Sequence, residues 1–207
     1  MVQPRPPGDP RVKITPESIA DTALAMIREA GVDSMTMRAL AARLDVSAPA
    51  LYHHVAGREE LLDLVARRVP ADSGDTQICL DSVTTIEEYV ALARPGSLAL
   101  RDYYLAHPGL ARVMLDRVGG RGHDSVDDRH QRTAADIAAL IRCGLDPTVA
   151  STTYDTMARW TLAAIAAEHD AQPTPSANAS FAHGLDLLLA GLVATAKNPL
   201  ARPTSDT

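Results

Sequence analysis

Two adjacent histidines, His53 and His54, follow Tyr52 in the segment DVSAPALYHHVAGREEL, residues 45–61. Imidazole is the commonest side-chain metal ligand and a frequent proton carrier, which raises the possibility of a metal site. Neighbouring residues of a helix point about 100° apart, whereas two ligands on one helical face need a spacing of three or four. The pair is therefore poorly placed to share a metal.

A second candidate metal set is formed by His123, Asp127 and His130, which share one helical face at spacings of four and three. The competing interpretation is that acidic residues in a first helical turn favour the helix dipole, and it has more support. The sequence contains no GxSxG, no cysteine–histidine motif and no HExxH. We therefore expect no metal, no cofactor and no enzymatic activity.

The segment that holds the two histidines suits a helix lying against a flat, charged partner. Ser47 is an N-cap for a helix over 48–55, whose inner face carries Leu51, His54 and Val55. Small and polar residues form the opposite face: Ala48, Pro49, Tyr52 and His53. Small side chains allow close approach to a base, tyrosine and histidine can bond phosphate or base edges, and backbone N–H groups at the helix start can hold an anion. The pattern predicts a DNA-recognition helix, with a purely structural corner as the alternative.

Short helices surround this segment. Thr15 and Pro16 begin a first helix, which Gly31 ends. Thr36 caps a second, short helix, and a tight turn at 45–46 leads into the third. Three short helices with a tight turn between the second and third form a helix-turn-helix pattern.

The remainder of the chain also carries helical patterns. Helices are predicted over 85–106 with a break or kink at 95–96, and over 108–118, 124–143, 146–170 and 181–197, with loops at 119–123 and 171–180. Hydrophobic residues make up 46% of the chain but aromatic residues only 3%, so the core must be mainly aliphatic, as packed helices allow. The fold class predicted is all-α.

Composition also bears on compartment and partners. Cys79 and Cys143 lie far apart, as expected for thiols in a reducing compartment. We find no secretory signal and no run of about 18 apolar residues for a membrane span, so we expect a cytoplasmic protein with no membrane partner. Residues 1–69 carry nine Lys and Arg against nine Asp and Glu, which leaves the whole net charge of −6 in residues 70–207. The acidic part is unsuited to phosphate contacts, but the N-terminal part is not.

Residues 15–69, TPESIADTALAMIREAGVDSMTMRALAARLDVSAPALYHHVAGREELLDLVARRV, closely resemble the DNA-binding domain of tetracycline-repressor-like (TetR-family) transcriptional regulators. Three later segments are similar to the tetracycline-repressor type of C-terminal domain: YLAHPGLA at 104–111, GLDPTVA at 144–150 and FAHGLDLLLAGL at 181–192. The expected organisation is a disordered arm (1–13), a helix-turn-helix DNA-binding domain (14–69), a helical ligand-binding and dimerisation domain (70–200) and a tail (201–207).

The resemblance implies a homodimeric repressor of palindromic double-stranded operator DNA, which dimerises through its C-terminal helices and leaves DNA when a small-molecule inducer binds. By position, the implied DNA contacts are Thr36, Arg38, Ser47, Ala48, Pro49, Ala50, Tyr52, His53 and Arg58. Thr36 and Tyr52 suit phosphate, and Arg38 suits a bidentate contact with guanine. The alternative is a helical small-molecule-binding or scaffolding protein that has lost DNA binding.

Six residues are candidates for lining a ligand pocket, although each also suits an ordinary core: Leu100, Tyr104, Met114, Asp136, Tyr154 and Met157. Met114 stands where the resemblance requires the principal histidine ligand of a magnesium–tetracycline chelate, and a thioether is a poor ligand for magnesium. We therefore expect an uncharged or weakly cationic inducer bound without metal, since the Asp136 carboxylate disfavours an anion.

Overall fold

The computed structural model describes residues 14–72, 80–118, 127–170 and 175–197. Within these ranges the chain forms nine α-helices and no β-strand, which confirms the all-α prediction. The helices are α1 (Pro16–Ala30), α2 (Met37–Arg43), α3 (Ala48–Tyr52), α4 (Arg58–Asp72), α5 (Ile86–Leu105), α6 (Leu110–Arg117), α7 (Asp127–Arg142), α8 (Pro147–Asp170) and α9 (Pro175–Lys197). The predicted arm, the loop at 119–123 and the tail lie outside the described residues.

The first helix begins and ends where the sequence predicted. The Thr15 hydroxyl accepts from the Ser18 N–H at 3.2 Å, and the Ser18 hydroxyl accepts from the Thr15 N–H at 2.9 Å. Gly31 ends the helix with φ 79°, a left-handed conformation that costs glycine nothing. Because these contacts are local, a short stretch of sequence suffices to define this helix.

Two clusters of buried side chains hold the helices together. The first begins among α1 to α4 and continues into α5, α6, α8 and α9, so the N-terminal domain shares its core with the C-terminal helices. The second lies among the first turns of α5, the end of α7, the start of α8 and the end of α9. A shared, close-packed core transmits displacements between the C-terminal helices and α4, since such interiors are not freely compressible.

A proline lies inside α5, where the sequence predicted a break or kink at 95–96. The helix runs without a break from Ile86 to Leu105, so of the two predicted alternatives the break is wrong, and the kink stays a prediction. Proline removes one backbone hydrogen bond and crowds the carbonyl of the preceding turn. Val90, Ala93 and Leu98 on either side pack against the core. Tertiary packing therefore overrides the local signal.

The last helix begins earlier than predicted. α9 starts at Pro175, within the stretch predicted to be a loop over 171–180. Asn178 in its first turns accepts a hydrogen bond from the Arg101 guanidinium of α5, which also donates from Nε to Glu168 of α8 at 2.8 Å. This contact with distant residues fixes a segment whose own composition does not favour a helix.

α9 is apolar on average, although, as the sequence predicted, it contains no unbroken run of about 18 apolar residues. Its residues 177–197 have a mean hydropathy of 1.4. Among the described helices, this is the one that is long and apolar enough to cross a membrane. Only 22% of that window is buried within the chain. The helix packs on α5 and α8, however, and its Asp186 pairs with Arg94 of α5 at 2.7 Å.

Candidate nucleic-acid interface

A tight turn holds α2 against α3. The Val46 N–H donates to the Ala41 carbonyl at 3.0 Å, and Asp45 adopts a left-handed φ of 55°, which aspartate tolerates better than most residues. Beneath the turn, Leu40 and Leu51 are both 0% exposed. This is a helix-turn-helix arrangement, with the two helices fixed by buried leucines rather than by the turn alone.

The third helix is shorter than the predicted 48–55. It ends at Tyr52, and the next two N–H groups bond three residues back, from His53 to Ala50 at 3.3 Å and from His54 to Leu51 at 2.9 Å. The His54 side chain is therefore exposed, and its placement on the inner face was wrong. Leu51 and the following Val55 are buried, as predicted.

Seven of the nine residues implied to contact DNA are solvent-exposed, Ser47 and Arg58 among them. The other five form what we term the recognition surface: Thr36, Arg38, Pro49, Tyr52 and His53. Tyr52 is 51% exposed, which is unusual for a large aromatic side chain. Ser47 is also exposed, but its hydroxyl caps α3, whereas Ala48 and Ala50 are half-buried. The DNA contacts of all these residues stay predictions.

Of the three arginines at 34–58, two form hydrogen bonds or ion pairs with other residues of the chain. Arg43 forms a bidentate ion pair with Glu29 of α1, at 2.7 and 2.5 Å. The Arg58 guanidinium donates to the Met35 carbonyl and, at 3.1 Å, to the Val32 carbonyl. Arg38, in contrast, makes no hydrogen bond or ion pair with the residues that the structure describes. Arg38 is thus the arginine with its whole donor fork available to a base, while Arg58 supports the chain that leads into α2.

The backbone at the start of α3 offers fewer donors than the sequence suggested. The Ser47 hydroxyl accepts from the Ala50 N–H at 3.3 Å, and Pro49 has no N–H. The anion site expected from these amides is therefore weak. The Thr36 hydroxyl accepts from the Ala39 N–H at 3.1 Å, which leaves its O–H free to donate to a phosphate.

The six residues predicted to line a pocket fall into two groups. Leu100, Tyr104 and Met114 pack in the first core cluster, Asp136 and Tyr154 lie around the second, and Met157 packs against both. Tyr104 and Met114 are only 5% and 6% exposed, so they contact protein side chains. Asp136 and Tyr154 therefore lie near the second cluster, whereas Tyr104 lies in the first, so the polar residues of the predicted pocket do not belong to one cluster.

Four hydrogen-bonded polar side chains lie in or beside the second cluster: Tyr89, Thr133, Asp136 and Tyr154. The Tyr89 hydroxyl donates to Asp136 Oδ1 at 2.9 Å, and the Thr133 hydroxyl lies 3.2 Å from the Tyr154 hydroxyl. Burial of the phenol, together with the Asp136 carboxylate, raises the pKa of Tyr89 well above its ordinary value. Tyr89 therefore remains a protonated donor. It was not predicted from the sequence, although its polar tip in an otherwise aliphatic helical stripe was a usable signal.

The C-terminal domain contacts α4 directly. Arg117 of α6 bonds from Nε to Asp63 Oδ1 at 2.9 Å and from Nη2 to Glu59 Oε2 at 3.2 Å. The Val32 N–H donates to the Pro108 carbonyl at 2.9 Å, on the loop before α6. A movement of α6 must therefore be accommodated by the helix that carries Arg58.

No group of three or more His, Cys, Asp or Glu among the described side chains is placed to hold a metal ion. His123 lies outside the described residues, and so do the side chains of Asp127 and His130.

Comparison with known proteins agrees with this geometry. Residues 19–65 match the family model described as bacterial regulatory proteins, tetR family. The chain is 29% identical over 116 residues to the class D tetracycline repressor protein of Escherichia coli, which covers 56% of the chain and 51% of that repressor. The chain thus spans about half the length of this curated relative.

Solved structures share the fold over most of the chain. A variant of TetR from Acinetobacter baumannii, in complex with minocycline, has a TM-score of 0.71 at 24% identity, covering 89% of this chain and 99% of that one. BioQ bound to its double-stranded DNA operator has a TM-score of 0.66 at 23% identity, covering 88% and 99%. The family match and the geometry together identify residues 19–65 as a helix-turn-helix domain of the tetR family of bacterial regulatory proteins.

Proposed function

We propose that the chain is a cytoplasmic, homodimeric transcriptional repressor that binds operator DNA through α2 and α3 and is released by a small molecule. The observation that carries the proposal is the recognition surface. Its hydrogen-bonding side chains are exposed, and the buried Leu51 and Val55 hold the segment that carries Tyr52 and His53 against the core. BioQ, which has the same fold, was solved on its operator, and the class D relative is a repressor. Both support this assignment.

The chemistry of the recognition surface separates positioning from base reading. Tyr52 and Thr36 carry hydroxyls that can donate to phosphate oxygens, which fixes the protein on the duplex without selecting a sequence. Arg38 can donate two parallel hydrogen bonds to guanine O6 and N7 in the major groove. Because residues 70–207 carry the whole net charge of −6, the N-terminal domain must face the phosphates. We therefore expect specificity to rest mainly on Arg38.

The apolar surface of α9 supports dimerisation. Leu187 is 61% exposed, and most of the apolar window at 177–197 is not covered within the chain. Large exposed apolar surfaces mark interaction sites, and the Asp186–Arg94 ion pair makes a lipid environment costly. A second copy of the chain is the partner that also supplies the second recognition helix which a palindromic operator needs.

The inducer site that we propose is centred on Asp136, Tyr89 and Tyr154, with an uncharged or weakly cationic ligand and no metal. Apolar walls with a few polar groups are typical of small-molecule sites. Arg117 and Asp63 connect α6 with α4, so a ligand that moves α6 changes the position of the N-terminal domain. Such a ligand must bind the released conformation more tightly, because equal affinity for both states shifts nothing.

DNA from the protein's own promoter region provides the test of the repressor proposal. Fluorescence anisotropy titrations at one low salt concentration should show tighter binding to this DNA than to a shuffled duplex of the same composition. Tyr52→Phe should weaken both to a similar extent, because a phosphate contact carries no sequence information. Equal affinity for the two duplexes would support the alternative, a ligand-binding or scaffolding protein without a DNA target.

The dimer and the inducer site are tested separately. Leu187→Glu should yield monomers in sedimentation velocity while the helical content is unchanged. If the variant remains dimeric, the interface does not include Leu187.

Ligands that release the DNA should do so equally with and without a chelator, and less effectively in Asp136→Asn. Release that requires magnesium would contradict the metal-free site.

A further inference from the structure

A cleft of about 290 Å³ lies between the N-terminal domain and the loop that leads into α6. Both domains contribute to its lining: Asp21, Leu24, Ala25 and Arg28 from α1, Arg68 from α4, and His107 from the loop. Arg68 follows Arg58 by ten residues along α4, which places it about 15 Å from the DNA-facing end of that helix. The cleft is thus distinct from the recognition surface and from the Tyr89–Asp136 group.

The orientation of the His107 ring is fixed. Its Nδ1 lies 2.8 Å from the Tyr103 carbonyl, and because a carbonyl can only accept, Nδ1 carries the proton. The Tyr103 ring stacks on it with centroids 4.3 Å apart, and His107 is only 5% exposed. Nε2 makes no hydrogen bond with any residue that the structure describes. Among these residues, every side-chain nitrogen or oxygen that is fully buried has a hydrogen-bond partner. Because Nε2 has none, it is not fully buried and solvent reaches it; in the neutral ring it is an acceptor.

The charges in the cleft are unevenly distributed. Arg68 forms an ion pair with Asp21 at 2.5 Å, so that end carries little net charge. Arg28 is exposed and makes no ion pair within the described parts of the chain. The Val32 N–H, just after the end of α1, donates to the carbonyl of Pro108, the residue that follows His107. The cleft therefore combines a guanidinium that has no ion pair in the described residues with an imidazole acceptor.

We propose that this cleft binds a small organic acid that also carries a hydroxyl or N–H donor. Its carboxylate pairs with the Arg28 guanidinium, its donor bonds His107 Nε2, and its apolar part lies on Leu24 and Ala25. Charge-assisted hydrogen bonds to a guanidinium are the strongest polar contacts available in such a site. The volume of about 290 Å³ is just below the usual range for ligand cavities, about 300–1,000 Å³, which restricts the ligand to metabolite size.

The test uses isothermal titration calorimetry on the full chain without DNA, so its outcome is independent of the proposed repressor function. The probe is 4-hydroxybenzoate, compared with benzoate, which lacks the donor, and 4-hydroxybenzamide, which lacks the charge. Hydroxybenzoate should bind most tightly, and Arg28→Gln should weaken it about tenfold or more, because a hydrogen bond to a charged group is lost. Arg67→Gln, next to Arg68 but outside the cleft lining, is the matched control and should change nothing.

The variants also distinguish the cleft from the inducer site. Asp136→Asn should leave hydroxybenzoate binding unchanged. Arg28 is exposed and without an ion pair in the described residues, so its replacement should not alter thermal unfolding, which is measured alongside. Binding that survives Arg28→Gln, binding lost in Asp136→Asn, equal binding of the amide, or no binding of hydroxybenzoate would each overturn the proposal.

Discussion

The crossing of α8 and α9 depends on a glycine facing a tryptophan. A Cβ atom built on Gly184 would lie 2.3 Å from Cζ2 and 2.8 Å from Cη2 of Trp160. Carbon atoms in contact normally lie about 3.5–4.0 Å apart. Trp160 also packs against Phe181, with ring centroids 5.5 Å apart, so the indole cannot turn away without losing that contact. Gly184→Ala must therefore displace either the ring or the helix.

Two opposing effects determine how much Gly184→Ala changes the free energy of unfolding. Alanine in a helix interior is roughly 1 kcal/mol more favourable than glycine. Forcing an extra methyl group into a packed site costs about 1–3 kcal/mol, occasionally more. Because the clash at Gly184 is with a rigid ring rather than the end of a flexible side chain, we take the upper part of that range. The expected net loss in the free energy of unfolding is about 1–2 kcal/mol.

Urea unfolding at one fixed protein concentration measures this loss, since the stability of a dimer depends on concentration. Trp160 is the single tryptophan of the chain, so its emission reports on the crossing itself and should shift in the variant. Adding Trp160→Phe, which removes the clashing outer ring, should recover most of the loss when circular dichroism is the readout. If Gly184→Ala has wild-type stability and unchanged emission, the close approach of α8 and α9 is refuted.

Three further predictions concern arginines and the internal proline. Arg38→Ala should cost about 1–3 kcal/mol of operator affinity and remove the preference at one base position of each half-site. Arg43→Ala, which only breaks the exposed pair with Glu29, should leave the preference intact in the same anisotropy titrations; equal losses would contradict the base contact. Arg101→Met should lower the unfolding free energy by about 3–5 kcal/mol, with much of it regained on adding Glu168→Leu, because the pair is buried. Pro95→Ala should raise the melting temperature, since proline inside a helix costs roughly 3 kcal/mol relative to alanine; an unchanged or lower value would mean that α5 needs the proline.

The sequence was sufficient to predict structure wherever the stabilising contact joins residues that are close along the chain. Thr15, Thr36 and Ser47 each cap a helix with a side chain bonded three residues ahead, so a short pattern predicts each start. The buried Leu51 and the exposed Tyr52 likewise follow from helical periodicity. The fold class and the exposure of Tyr52 and His53 could therefore be predicted from the amino-acid sequence, while the DNA contacts of the recognition surface stay predictions.

Contacts between distant residues were not accessible in this way. Arg58 reaches carbonyls 23 and 26 residues away, and Asn178 is held by Arg101 across 77 residues of sequence. No local pattern shows that Arg58 is hydrogen-bonded within the chain while Arg38 has no such partner among the residues that the structure describes. The cleft at Arg28 and His107 arises for the same reason, because its walls come from both domains.

Selection of bound sequences from random DNA tests the central claim most directly, because it needs no assumption about the operator. The wild-type protein should enrich a palindrome with half-sites about one helical turn apart or a multiple of it. The same selection with Arg38→Ala should return the palindrome with one position of each half-site relaxed. No enriched sequence, or a single half-site without its symmetric partner, would contradict a dimeric regulator that reads DNA through α2 and α3.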